Sequence, residues 1–277
     1  MATFAITNDL NWSVSKRPLF FTGNDNQATP ISEKVAVVRD DTGAFLGAVS
    51  PDYEVVQNSV LLGMIQPLIE EGVLELRNVG YLNGGARVFA QAVVNEEFTV
   101  AGDSYKSFIT LLNGHIGNNS VAIGPSNVRV ICGNSFSMSY SQIGEKFRHS
   151  AGVNDRFLSS TAVLDYVNGA MKKYAEYMEP LALAPCSSIQ FRNALEVIYD
   201  KDVKDMRASF VEQLNSLFYN GAGNEGRTYA DVFNAVTDYN SNQSRKTASG
   251  RFNYTNFGSG ARIAQRAMAA LTELAAV

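Results

Sequence analysis

The chain has 277 residues and is 45% hydrophobic, enough to bury a full core in one large domain or two small ones. No apolar run approaches the roughly 20 residues of a membrane span, and the amino terminus lacks a basic segment followed by an apolar one, so the host cytoplasm is the expected location and a membrane partner is not expected. A net charge of −4 argues against bulk electrostatic attraction to nucleic acid, but it is unevenly spread: residues 239–277 carry Arg245, Lys246, Arg251, Arg262 and Arg266 against Glu273 alone, a tail of +4 on a body of −8.

Residues 1–30 are polar, anchored only by Trp12 and the cluster Pro18-Leu19-Phe20-Phe21, and read as an arm with little structure of its own. A core domain is expected over 31–238, followed by a basic loop and a carboxy-terminal helix over 239–277. Segments 34–39 and 44–49 make a hairpin about Asp41-Thr42-Gly43. From 59 to 71, Leu61, Leu62, Ile65, Leu68 and Ile69 recur at helical spacing; Gly72 supplies the stop, and Pro67 argues against an unbroken helix. Strands over 73–82 and 87–94 join at Asn83-Gly84-Gly85, whose glycines can take the positive φ of a turn.

The densest signal lies in 103–136. Runs 107–112, 120–123 and 128–132 are β-rich, and the last two flank Gly124-Pro125-Ser126-Asn127, which predicts a tight hairpin. Val128, Val130 and Cys132 alternate with Arg129 and Ile131. Between the first two runs, 113–119 is a polar, Gly-rich loop carrying His115, a candidate site at the end of a sheet.

The period then changes. Phe157, Leu164, Val167, Met171, Tyr174 and Met178 mark a long amphipathic helix ending near Pro180. Ser187 with Gln190 is a capping box opening a helix to about Tyr199; Val203, Met206, Phe210, Leu214 and Leu217 mark another that stops at Asn220-Gly221. Thr228 with Asp231 resembles a further cap, and 263–274 is a final Ala-rich helix. The expected fold is α+β: a mostly antiparallel sheet in the amino-terminal half, with helices of the carboxy-terminal half packed on one face of it.

Several segments carry a family resemblance: 51–58 (PDYEVVQN), 84–88 (GGARV), 103–136 with its Asn113/His115 loop and its VRVICGN run, 146–150 (KFRHS) and 233–239 (FNAVTDY). In order and spacing they are similar to the signatures of the phage/plasmid-like protein family, catalogued as domain of unknown function 932, from about Asp52 to Gly260. The resemblance implies a protein of a phage or other mobile element. A strand-rich half followed by a helix is also similar in outline to the phage single-strand annealing proteins, which assemble into rings or helical arcs on DNA. Relatives often carry an acidic residue after the loop histidine, where this chain has Ile116.

Four constellations are candidates for function. Cys132, His115 and His149 could pair a thiol with a base, against the plainer reading of Cys132 as a small core residue. Two histidines separated by 33 residues, with only Cys132 and Cys186 besides, give no metal-ligand cluster, so neither a metal nor a cofactor is expected. Gly258-Ser259-Gly260 before a helix could hold a phosphate, but lacks the Lys-Ser/Thr of a P-loop and reads better as the helix start. The basic residues Arg87, Lys106, Arg129, Lys146, Arg148 and Arg156 could line a groove for a phosphate backbone, with Arg87, Lys106 and Arg129 coming from three strands; Arg245, Lys246, Arg251, Phe252 and Tyr254 interleave cations with rings on which bases can stack.

With no nucleophile–base or metal set standing out, a non-catalytic role is expected. The first reading is a single-stranded DNA-binding and annealing protein of mobile-element recombination, assembling as a homo-oligomer in a ring or helical arc. The second is a protein–protein interaction module of a phage or plasmid, structural or anti-defence.

Overall fold

A computed structural model describes residues 10–24, 26–117, 120–129, 135–137, 145–156, 160–245 and 247–276. The strands come first: β1 (Val14–Thr22), β2 (Ala28–Arg39) and β3 (Phe45–Val49) form a small antiparallel sheet. Helices α1 (Asn58–Gly63) and α2 (Gln66–Glu70) lead into β4 (Leu74–Leu82), β5 (Arg87–Val100), β6 (Asp103–Gly114), β7 (Val121–Arg129), β8 (Ser135–Ser137) and β9 (Glu145–Phe147). These six strands make one antiparallel sheet in which β7 pairs with both β8 and β9. The helices follow: α3 (Ser160–Leu183), α4 (Ser188–Tyr199), α5 (Ala208–Asn220), α6 (Tyr229–Asp238), α7 (Ala248–Phe257) and α8 (Ser259–Ala275). The architecture is α+β, as the change of hydrophobic period predicts.

Register explains which face is buried. Antiparallel pairing sets Ala90 opposite Leu111 and Ala92 opposite Ile109, with Ile123 opposite Leu111 in turn. Side chains on directly opposed residues share a face, and this one is covered by Leu61, Ile65 and Leu68, by Val163 and Val167 of α3, by Trp12 just before β1, and by Val14, Val37 and Val49 of the small sheet. A second apolar cluster joins the far end of the sheet to the helices, through Val100, Tyr105, Tyr174, Phe191, Phe218, Phe233 and Leu271. Within it α6 is buried all round from Tyr229 to Thr237, its polar Asp231, Asn234 and Thr237 included. Its start is tied by the Thr228/Asp231 capping box and that of α4 by Ser187/Gln190, both as the spacing predicts.

The helix over 59–71 divides into α1 and α2, as Pro67 suggested, because the proline sits at the start of a helix, where its missing N–H is not needed. Three local expectations change. The hairpin at 124–127 is absent: β7 runs straight through Gly124 and Pro125. On its outer edge β9 pairs with Val121–Ile123 and β8 with Ser126–Val128, so Pro125 falls in the interval where no outer ladder requires its N–H. Residues 14–22, read as an unstructured arm, form β1, whose ladder with β2 runs its full length. The basic stretch after Ser244, read as a loop, is largely α7, opened by the Thr247 hydroxyl accepting from Gly250 N at 3.1 Å. Cys132 and Lys246 lie outside the described residues, as do the side chains of Arg129, Arg156 and Phe252.

Candidate functional site

Segment 51–58 runs beside the end of β6 and joins the two sheets through side chains. The Gln57 amide clamps Val14, accepting from its N–H at 3.0 Å and donating to its carbonyl at 2.8 Å. Asn113 Nδ2 donates to the Val56 carbonyl at 2.8 Å, and Tyr53 Oη donates to the Gly114 carbonyl at 2.7 Å. Asn58 Nδ2 donates to the Trp12 carbonyl at 3.0 Å, which leaves Asn58 Oδ1 as an acceptor facing His115 Nε2, also 3.0 Å away. Two residues apart on each segment, Val56/Asn58 and Asn113/His115 thus meet like teeth, a consequence of the period-2 alternation that keeps Asn113 and His115 on one face.

The loop expected to carry a site is therefore buried at its first half. Asn113 is 1% exposed and His115 is fully enclosed, its ring edge-on to Trp12 at 5.7 Å between centroids. Arg39 lies over the other side of this wall, 4.2 Å from the Trp12 ring and 4.8 Å from that of Tyr81, and its guanidinium is held by Asp41 at 2.7 and 2.8 Å. Gly85 permits the approach, since a Cβ there would meet the Trp12 ring at 3.0 Å, and its φ of +111° suits glycine.

Hydrogen bonding assigns the histidine tautomers. His115 Nε2 faces an acceptor and so carries the proton, leaving Nδ1 bare; His149 Nδ1 faces the Glu54 carbonyl at 2.9 Å and carries the proton, leaving Nε2 bare. Both bare nitrogens and Asn113 Oδ1 are buried without a hydrogen-bond partner among the described residues. Burial, with a smaller contribution from His149, pushes His115 down to about 4, and burial also lowers His149 against the opposing pull of the Glu54 carbonyl. Two neutral imidazoles are the result. His149 stacks on Tyr53 at 4.5 Å.

Among the described residues neither imidazole meets a thiol. Cys186 belongs to the second core cluster, and burial pushes its thiol up to about 12, with Asp231 adding to the effect. Among the described residues no group of three or more His, Cys, Asp or Glu is placed to hold a metal.

Outside this wall, where β3 meets the end of β6, lies an open groove of about 460 Å³ lined by Lys34, Val49, Ser50, Tyr53, Ile116 and Gly117. Its walls are close because Gly47 has no side chain to strike Ile116. Lys34 reaches it through an irregularity in the ladder. Pro18 pairs with Val35 but Leu19 with Ile31, so Ser32, Glu33 and Lys34 bulge out of register and turn the lysine from the strand. The Lys16 ammonium braces the neighbouring wall by donating to the carbonyls of Pro51 at 2.7 Å and Tyr53 at 3.1 Å. Lys34 is the only charged residue among the described residues lining the groove.

The cations singled out from sequence are dispersed. Arg87 pairs with Gly114 at one end of β6, whereas Lys106 lies eight residues away along that strand, about 27 Å at the usual rise. Lys106 is ion-paired with Glu97 at 3.3 Å, and Arg129 pairs in register with Tyr105, beside Lys106. Lys146 and Arg148 are exposed and flank the buried Phe147 of β9. In the tail, Arg245 covers the Tyr254 ring at 4.1 Å, and Arg251 Nη1 donates to the Arg245 carbonyl at 2.8 Å. Gly258 caps α8 and Gly260 lies in its first turn, the helix start that the sequence suggested. Lys34 and Tyr53 were missed: the bulge has no sequence signature, and Tyr53 stood only as part of a family motif.

Residues 45–272 match the family model described as domain of unknown function (DUF932). No curated protein and no solved structure matches the chain.

Proposed function

The chain belongs to the DUF932 family, and we propose that it binds single-stranded DNA and holds it for annealing, without a covalent step, as a recombination protein of a phage or other mobile element. The observation that carries this reading is the junction groove, which offers the Lys34 cation and the Ser50 hydroxyl and, among the described residues, no carboxylate. A backbone phosphate meets Lys34 there, while Ser50 and the Gly117 backbone supply polar contacts. Arg148, one residue before the His149 that stacks on Tyr53, extends the basic character toward β9.

Fluorescence anisotropy with a labelled oligonucleotide at low and high salt tests the reading. Lys34→Ala should weaken binding and flatten the plot of log affinity against log salt by roughly 0.7, the value for one phosphate contact on a single strand. Arg87→Ala, Lys106→Ala and Arg129→Ala serve as comparisons at other places on the sheet. Absence of binding by the unaltered protein removes the reading.

A homo-oligomer is part of the same proposal. The distal part of the β1–β2 ribbon is exposed on both faces, with Phe20 56% and Phe21 53% accessible, and β1 is an edge strand. A two-stranded ribbon is marginal in water unless something covers it, and a second copy of the chain is the occupant proposed. Light scattering on Phe20→Ser/Phe21→Ser should show a smaller assembly than the unaltered protein. An assembling ribbon without any strand binding would favour the protein–protein interaction module instead.

A further inference from the structure

About seven residues along β6 from Gly114, a second cavity of about 470 Å³ opens between β7, α3 and α8. Its volume is in the range of small-molecule sites. Most of its wall is apolar, with Pro125 on one side, Tyr174 and Tyr177 on α3, and Met268 on α8. Two side-chain amides interrupt that wall. Asn127 Oδ1 accepts from Ser107 Oγ at 2.6 Å, which commits the amide oxygen and leaves Nδ2 as the donor end of this cavity-lining side chain. Gln265 Nε2 is buried and has no partner among the described residues. Tyr177 is 38% exposed, and Lys173 and Glu273 are exposed at the mouth.

We propose that this cavity binds one planar heteroaromatic ring with hydrogen-bond acceptors on its edge, a nucleobase, seated against Tyr177 with its edge toward Asn127 and Gln265. The chemistry narrows the choice. An aliphatic guest would fill the volume but offer nothing to the amide donors, which is costly in an apolar site. A small anion would find only Lys173 at the mouth, opposed there by Glu273, and would leave the apolar wall unfilled. A base offers a face to the tyrosine and acceptors to the amides, and a phosphate attached to it lies nearest Lys173. The base can belong to a bound strand, in which case the site rests on the reading above, or to a free nucleotide, in which case it does not.

The test uses the full chain, with thymidine and deoxyadenosine monophosphates titrated by calorimetry and an oligonucleotide carrying 2-aminopurine titrated by fluorescence. Both are repeated with Tyr177→Ala and with Gln265→Leu, which removes the donor but keeps the bulk. Quenching of 2-aminopurine that is lost in Tyr177→Ala, with affinity about tenfold weaker there and several-fold weaker in Gln265→Leu, supports the site. If the quenching comes only with the oligonucleotide, the base is one of a strand; saturable mononucleotide binding with the same sensitivity to both variants identifies a free nucleotide. Oligonucleotide binding indifferent to both variants, without mononucleotide binding, overturns this site and leaves the strand-binding reading intact. Mononucleotide binding indifferent to both variants overturns it too, and binding of neither ligand overturns both proposals.

Discussion

Acidification should unfold this protein through His115. The imidazole is fully enclosed and held neutral, with its folded value near 4 against about 6.5 in an unfolded chain. A depressed histidine contributes stability that is fully present above about pH 6.5 and is lost as pH falls toward about 4, because the unfolded chain takes up the proton first. At about pH 5 the loss is about 2 kcal/mol, and near pH 4 it reaches about 3 kcal/mol, a large part of the net stability of a domain. His149, shifted in the same direction by burial, adds to it. Asp40 and Asp41, both lowered by their partners, act mainly below about pH 4 and leave this window clear. Urea denaturation midpoints at about pH 7.5 and about pH 5 measure the effect. His115→Gln keeps an N–H within reach of Asn58 Oδ1 and cannot titrate, so its loss between the two pH values should be about 2 kcal/mol smaller than in the unaltered protein. An equal loss in both proteins would refute the reasoning.

Tyr53→Phe removes the buried hydroxyl that bonds the Gly114 carbonyl but keeps the ring on His149; it should cost about 1 kcal/mol in a urea melt, and no change would mean that the bond contributes nothing to joining the sheets. Thr228→Ala dissolves the capping box of α6 and should cost about 1 kcal/mol, read in the same way; because α6 is buried in the helical core, the loss should appear in the global transition rather than as local fraying. Cys186 should resist a thiol-specific reagent at neutral pH and react once denaturant is added; fast labelling of Cys186 in the native protein, located by mass spectrometry, would contradict its burial.

Much of this fold is written locally. The Ser187/Gln190 and Thr228/Asp231 boxes announce their helices because a cap is a contact within four residues, and the 3.6-residue apolar period of α3 and the Gly84 turn are equally short-ranged. The α+β class follows from the change of period between the two halves. Where a local signal failed, a distant partner had overruled it. Gly124-Pro125 reads as a turn, yet β6 holds the segment straight while β8 and β9 leave a gap for the proline. Residues 14–22 have little apolar patterning, yet they form a strand because β2 gives them a ladder to complete. The candidate sites depend on tertiary structure still more. Sequence singled out the loop around His115, but burial under Trp12 and 51–58 turned its first half into a joint between sheets. Lys34 faces the groove through a bulge, and Asn127, Tyr177 and Gln265 meet only because α3 and α8 pack beside β7. Periodicity and caps are properties of neighbouring residues, and so the sequence by itself determined the elements and their class. A cavity is the space left between elements distant along the chain, and only their packing could decide where it opens and which side chains line it.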